Sequence, residues 1–255
     1  MGMDLFIAAV LFVLSFLAGM LGLGVAFIAI PVLGLFGFEL KHVIMPWALL
    51  LNGLTAISAA VAYLRKKMVD MKTAVAYLLI TTLAAPIGVY LLKFVSVNTI
   101  WWIFVAVLFF LAYRMAFPPK MPDTDITEIP QKQRIYGGVA AFFIAILAGL
   151  LGVGPGFLMM PTLVLLGYSA RVAAATNAVI VTLPSFSALA AHLPTAQWNL
   201  VLVIISSIAA VIGAQLGALF MARRVKSLLL SRIFAAVLVA LALQRVYLLT
   251  RGWLF

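Results

Sequence analysis

The chain has 255 residues, no cysteine, and only 9% charged residues. Without cysteine there is no disulfide, no thiolate metal ligand and no persulfide relay. Acidic groups are scarcest. There are six: Asp4, Glu39, Asp70, Asp123, Asp125 and Glu128. All of them lie at the ends of apolar segments or between them. A cation carrier or a carboxylate proton relay needs an acidic group at membrane depth, and an intramembrane aspartyl protease needs a pair. The expected cargo is therefore an anion or a neutral solute. No enzymatic activity, cofactor or metal is expected. The opening Met1-Gly2-Met3-Asp4 has no basic stretch and no cleavage site follows it, so no removable signal peptide is expected.

What is present is apolar. The chain is 67% hydrophobic, with a mean hydropathy of +1.26, far from the balance of a soluble domain. The net charge of +11 would suggest nucleic acid in a soluble protein. Here it fits the excess of Lys and Arg in cytoplasmic loops. The expected partners are the lipid bilayer and a small anionic solute, with no nucleic acid.

Eight apolar segments can be drawn, at about 5–37, 43–64, 73–92, 95–117, 135–168, 172–191, 199–222 and 227–250. A spanning helix needs roughly 20 apolar residues. Six segments fit; the first and fifth are too long for one pass and too short for two. If every segment crosses once from a cytoplasmic N-terminus, Arg223, Arg224, Lys226 and Arg232 fall outside. If the first and fifth each enter and return to the same face, 13 of the 17 Lys and Arg lie inside. Only Lys41, Lys93, Arg245 and Arg251 are then outside, in better accord with the positive-inside bias. The same arrangement puts Trp47, Trp101, Trp102, Trp198 and Trp253 near the outer interface, where tryptophan is enriched. For the first segment a single pass from inside is the alternative.

The re-entrant arrangement predicts an all-α polytopic membrane protein built from two inverted repeats. Each repeat has a re-entrant or broken helix pair and three spanning helices. Residues 1–117 form the first repeat and 135–255 the second. The proline-rich 118–134 between them reads as a cytoplasmic linker,. Both termini are expected outside.

The two over-long segments carry the same interruption. Gly19-Met20-Leu21-Gly22-Leu23-Gly24 precedes Pro31, and 130 residues later Gly149-Leu150-Leu151-Gly152-Val153-Gly154-Pro155-Gly156 precedes Pro161. Broken backbone at membrane depth is tolerated only where protein or a cavity supplies partners. Paired breaks in the two halves of a membrane protein point to a binding site. A half-helix starting near Val25 or Pro155 presents unpaired N–H groups and a partial positive charge. Pro155 suits a first helical position.

Magnitude sets a limit on these ends. A helix end contributes up to about 2 kcal/mol to a nearby anion, whereas drying a small ion costs on the order of tens. More donors are needed, at roughly 1.5–3 kcal/mol each. Aligning the halves through Asp70 and Gln197 pairs Thr55 with Thr182 and Ser58 with Ser185; a slightly shorter offset pairs Thr81-Thr82 with Ser206-Ser207. Asn52, Thr176 and Asn177 are further polar groups in apolar segments. Such hydroxyls either bond their own helix backbone and glue helices together or face a ligand. The candidate binding set is Gly22, Gly24, Val25, Asn52, Thr55, Gly152, Gly154, Pro155, Gly156, Asn177, Thr182 and Ser185.

The pattern Ala18-Gly19-x-Leu21-Gly22-x-Gly24 with Pro31, repeated as Ala148-Gly149-x-Leu151-Gly152-x-Gly154 with Pro161, resembles the TauE/SafE family of sulfite and organosulfonate transporters. Tyr63-Leu64-Arg65 before Val69-Asp70, Ala191-His192 before Gln197-Trp198, and the glycine turns at Pro86-Ile87-Gly88 and Ile212-Gly213-Ala214 fit as well. The resemblance covers almost the whole chain. It implies a carrier of small sulfur-containing anions in a bacterial inner membrane, and leaves direction and substrate open. Members often have a richer glycine run where Val25-Ala26 and Pro155-Gly156 stand here. The expected function is secondary transport of sulfite or an organosulfonate by alternating access. A channel-like anion pathway and a non-transporting scaffold are the alternatives.

Overall fold

Gly22 ends the first helix. It adopts φ +65°, a left-handed conformation that glycine enters without the Cβ penalty. Leu23 N–H then reaches back to Ala18 O at 3.1 Å and Gly22 N–H to Gly19 O at 3.3 Å, the two bonds that close a helix on a left-handed residue. Gly24, at φ +73°, turns the chain again, and a new helix begins two residues later. The structure, a computed structural model, describes residues 2–91, 94, 97–117, 129–151 and 154–250.

Helices alone make up the regular structure of those residues. The first repeat expected from sequence contains α1 (Gly2–Leu21), α2 (Ala26–Gly34), α3 (Met45–Arg65), α4 (Met71–Leu91) and α5 (Val97–Ala116). The second contains α6 (Gln131–Leu151), α7 (Gly156–Leu165), α8 (Ala170–Ile180), α9 (Thr182–His192), α10 (Leu200–Arg224) and α11 (Ser227–Thr250). A π-helical turn, Leu40–Ile44, leads into α3. Among the described residues, seven helical stretches are long and apolar enough to cross a membrane. They expose large apolar side chains in stripes, such as Leu79, Leu83 and Ile87 on α4 and Ile204, Ile208 and Ile212 on α10. Surface of this kind suits lipid and would be a liability in water.

Both expected breaks are present, with limbs of unequal length. α1 has 20 residues and α6 has 21, whereas α2 has 9 and α7 has 10. At 1.5 Å per residue the long limbs measure about 30 Å and the short ones about half that. Each over-long segment is therefore a helix of spanning length followed by a half-length one, not two half-helices.

The segment expected at 172–191 is divided at Val181 into α8 and α9. Pro184 supplies the reason, since it has no N–H to offer the carbonyl four residues back. The expected linker falls mostly on residues 118–128, outside the described residues, and α6 has begun by Gln131.

Small residues set the helix pairing. α1 lies along α10 and α6 along α4. A Cβ on Gly217 would come within 2.0 Å of Phe16 O, and one on Gly88 within 2.0 Å of Ile146 O. Backbones approach this closely only across glycine. In both pairs the contacts advance together in number: Phe12 with Gly213 and Phe16 with Gly217, then Tyr77 with Gly137 and Ala85 with Gly149. Both pairs therefore run parallel. α3 sits between α8, α9 and α10, and α5 packs on α11. Trp47 is buried at 1% exposure and donates from Nε1 to Ser206 Oγ at 3.1 Å. It is part of the core, not of a lipid-facing belt. Trp102 is exposed; Trp253 and the Trp101 side chain lie outside the described residues.

Candidate functional site

The two breaks meet. The N-cap residues of α2 and α7, Val25 and Pro155, offer no side-chain cap, so the first N–H groups of each half-length helix need partners from elsewhere. For α2 the partner comes from α3: Ala26 N–H donates to Asn52 Oδ1 at 2.8 Å. Asn52 Nδ2 donates in turn to Ser185 Oγ on α9 at 2.8 Å, and the Ser185 hydroxyl donates to Val181 O at 2.6 Å. Pro155 occupies the N-cap of α7 rather than its first helical position, which Gly156 takes.

Gly24 and Gly154 both face the Asn52 amide. A Cβ on Gly24 would lie 2.3 Å from Asn52 Oδ1, and one on Gly154 would lie 2.9 Å from Asn52 Nδ2. From α8, Asn177 holds the breaks together: its Nδ2 donates to Gly22 O and to Gly156 O, each at 2.8 Å. Asn52, Asn177 and Ser185 are all buried. Phe27 on α2 stacks on Phe157 on α7, with centroids 4.2 Å apart and planes 5° apart. At the end of α1, Tyr63 OH donates to Gly19 O at 2.6 Å and lies 3.1 Å from Met20 O.

Nine of the twelve candidates named from sequence thus gather here: Gly22, Gly24, Val25, Asn52, Gly154, Pro155, Gly156, Asn177 and Ser185. Thr55 Oγ1 donates to Leu51 O at 2.7 Å, and Thr182 Oγ1 to Val179 O at 2.8 Å, so these two hydroxyls serve their own backbone. Gly152 lies outside the described residues. The Phe27–Phe157 stack went unread in sequence, although its spacing of 130 equals that of the glycine breaks.

A second polar cluster was not foreseen. Asp70, between α3 and α4, is only 3% exposed. Its Oδ2 accepts from Tyr168 OH at 2.5 Å and from Thr73 Oγ1 at 2.8 Å, and its Oδ1 accepts from Thr73 N–H at 3.1 Å. Arg134 at the start of α6 donates from Nε to Thr73 Oγ1 at 2.9 Å and places Nη2 3.5 Å from Asp70 Oδ2. Asp70 N–H donates to Thr176 Oγ1 at 3.2 Å. Burial pushes the Asp70 carboxyl upward, but the bonds from Tyr168 and Thr73 and the Arg134 charge outweigh it and hold the group below its ordinary value,. The same burial, together with the bond to Asp70, pushes the Tyr168 phenol up. Asp70 does stand at a segment end as expected, but inside protein. The cluster ties α4 to α6 and to the turn between α7 and α8.

Lipid-facing helices, two backbone breaks brought into contact and a neutral, amide-lined centre define a multi-pass membrane protein of the transporter class. Residues 7–245 match the family described as sulfite exporter TauE/SafE, and the chain belongs to it. It is 26% identical over 265 residues to the "Probable membrane transporter protein YunE" of Bacillus subtilis (strain 168), covering 93% of this chain and 97% of that one. No solved structure matches.

Proposed function

We propose that the protein is a secondary transporter that moves a small sulfur-containing oxyanion, sulfite or an organosulfonate, across the bacterial inner membrane by alternating access. The meeting of both breaks at the Asn52 amide carries this reading. An arriving anion competes with Asn52 Oδ1 for the Ala26 N–H, and the start of α7 lies against the same amide. Donors held in place by the fold lower the cost of taking the ion out of water.

The organisation in this proposal is two inverted repeats, 1–117 and 135–255, joined by a cytoplasmic linker at 118–134, with both termini outside. Three relationships support it: α1 with α10 answers α6 with α4, α2 meets α7 through equivalent phenylalanines, and α5 meets α11. The distribution of Lys and Arg agrees,. Movement of one half against the other would then alternate access. The Asp70–Arg134 cluster spans the two halves, so it would act as a latch at the cytoplasmic end.

Counterflow of labelled sulfite in liposomes containing the purified protein tests the reading. Saturable uptake driven by unlabelled sulfite inside is the expected result. Flux without counterflow would make the pathway channel-like. No flux of sulfite or any sulfonate would overturn the proposal.

A further inference from the structure

The orientation of the Asn177 amide is fixed by its surroundings. Nδ2 donates to two backbone carbonyls, Gly22 O and Gly156 O; turned over, the amide would press its oxygen against both of them. The other arm, Oδ1, is buried and has no hydrogen-bond partner among the described residues. It lies one amide width from the nitrogen that holds the breaks together. Asn52 differs in this respect, since both its arms are engaged. A buried carbonyl oxygen without a donor is uncommon and asks for an explanation.

We infer that Asn177 Oδ1 is an acceptor for the transported ligand, so that the site takes an oxyanion carrying its own O–H or N–H donor. This rests on the anion-transport reading above and narrows its substrate class. A bare anionic oxygen would face Oδ1 with like partial charge. A ligand hydroxyl or amine would donate to Oδ1, while its oxyanion end takes the N–H groups of the half-length helices.

The charge of the site points the same way. Asn52, Asn177, Ser185, Phe27 and Phe157, the side chains that meet at the breaks, bring no positive charge. The cost of drying an ion rises with the square of its charge, so a dianion such as sulfate is the poorest fit. Hydrogen sulfite and hydroxyalkane- or aminoalkanesulfonates share the required chemistry. A site built to hydrogen-bond a ligand hydroxyl rejects the analogue that lacks it, because its own polar group is left unpaired.

The test compares sulfonates on the unaltered full chain in detergent, by calorimetry and thermal shift. Ethanesulfonate and 2-hydroxyethanesulfonate carry equal charge, whereas 2-aminoethanesulfonate is a zwitterion. Ethanesulfonate is set against 2-hydroxyethanesulfonate and 2-aminoethanesulfonate, and sulfite is measured on both sides of its second ionisation. The donor-bearing ligands should bind roughly tenfold or more tightly than ethanesulfonate. A gain with the hydroxyl, at equal charge, supports the inference; a gain with the amine only would trace to its ammonium charge and would overturn it. Sulfite should bind better on the acid side, as hydrogen sulfite. Asn177→Ser removes Oδ1, so whatever sulfonate binding it retains should show no preference for the donor-bearing ligands.

Equal affinity for ethanesulfonate and both substituted sulfonates, with sulfite binding indifferent to its ionisation, would overturn the inference and leave water as the partner of Oδ1. Anion transport would still stand. Binding of none of these oxyanions would overturn the transport reading, and the inference with it. The comparison on unaltered protein decides the matter even if Asn177→Ser does not fold.

Discussion

Asn52 and Ser185 lie 133 residues apart in the chain and share a hydrogen bond of 2.8 Å between Nδ2 and Oγ. Through Asn52 Oδ1 the same amide closes the start of α2. One side chain from the first half thus satisfies a broken helix of its own half and a hydroxyl of the other. It can do so because α3 runs between α2 and α9, and because glycine at 24 leaves room for the amide.

Removing that amide should cost both stability and transport. Asn52→Leu keeps approximate volume but leaves Ala26 N–H without its acceptor, at a cost of about 1–3 kcal/mol. Thermal unfolding in detergent should show the loss, together with reduced sulfite counterflow. An unchanged melting temperature would mean that another group takes over the Ala26 N–H.

The two facing glycines should not tolerate a methyl group equally. Gly24→Ala meets both strain at φ +73° and contact at 2.3 Å, whereas Gly154 has only the 2.9 Å contact with Asn52 Nδ2. A non-glycine residue in the left-handed region costs roughly 1–2 kcal/mol. Gly24→Ala should therefore be the more damaging in melting temperature and flux, while leucine at either position should abolish transport with membrane insertion intact. Full flux in both leucine variants would remove the central site.

The stacked rings of Phe27 and Phe157 should be energetically coupled. A double-mutant cycle with Phe27→Leu and Phe157→Leu should give an interaction energy of about 0.5–1.5 kcal/mol. Additive effects on stability would mean that the rings touch without holding α2 to α7.

Acid should weaken the Asp70 cluster. The carboxyl is held below its ordinary value in the folded chain. Its stabilising contribution is therefore complete above the unfolded pKa of about 3.9 and is lost as pH falls through the lower folded value. Melting temperature should drop below roughly pH 4, and Asp70→Asn should remove part of that drop while lowering stability by about 1–3 kcal/mol at neutral pH. An identical acid slope in the variant would place its origin in other carboxylates.

The breaks, and most of the residues that gather at them, were legible in the sequence for local reasons. Gly22 and Gly24 announce left-handed backbone, and Asn52 and Asn177 stand out because an amide in an apolar segment needs partners. Thr55 and Thr182 could not be assigned locally, since a hydroxyl in a helix has its own carbonyls within reach and only packing decides whether it uses them. Asp70 was visible as a carboxylate at a segment end. That Tyr168 and Arg134 close over it depends on contacts across 98 and 64 positions, which no local pattern encodes.

The sequence by itself determined a helical membrane protein with a doubled glycine break, because apolar length and backbone freedom are properties of short stretches. Only the tertiary structure decided that the breaks converge on the amides of Asn52 and Asn177, and that Asn177 Oδ1 has no partner among the described residues. Hydrogen-bond satisfaction at a buried point is settled by groups from several helices at once, and those helices come together only in the folded chain.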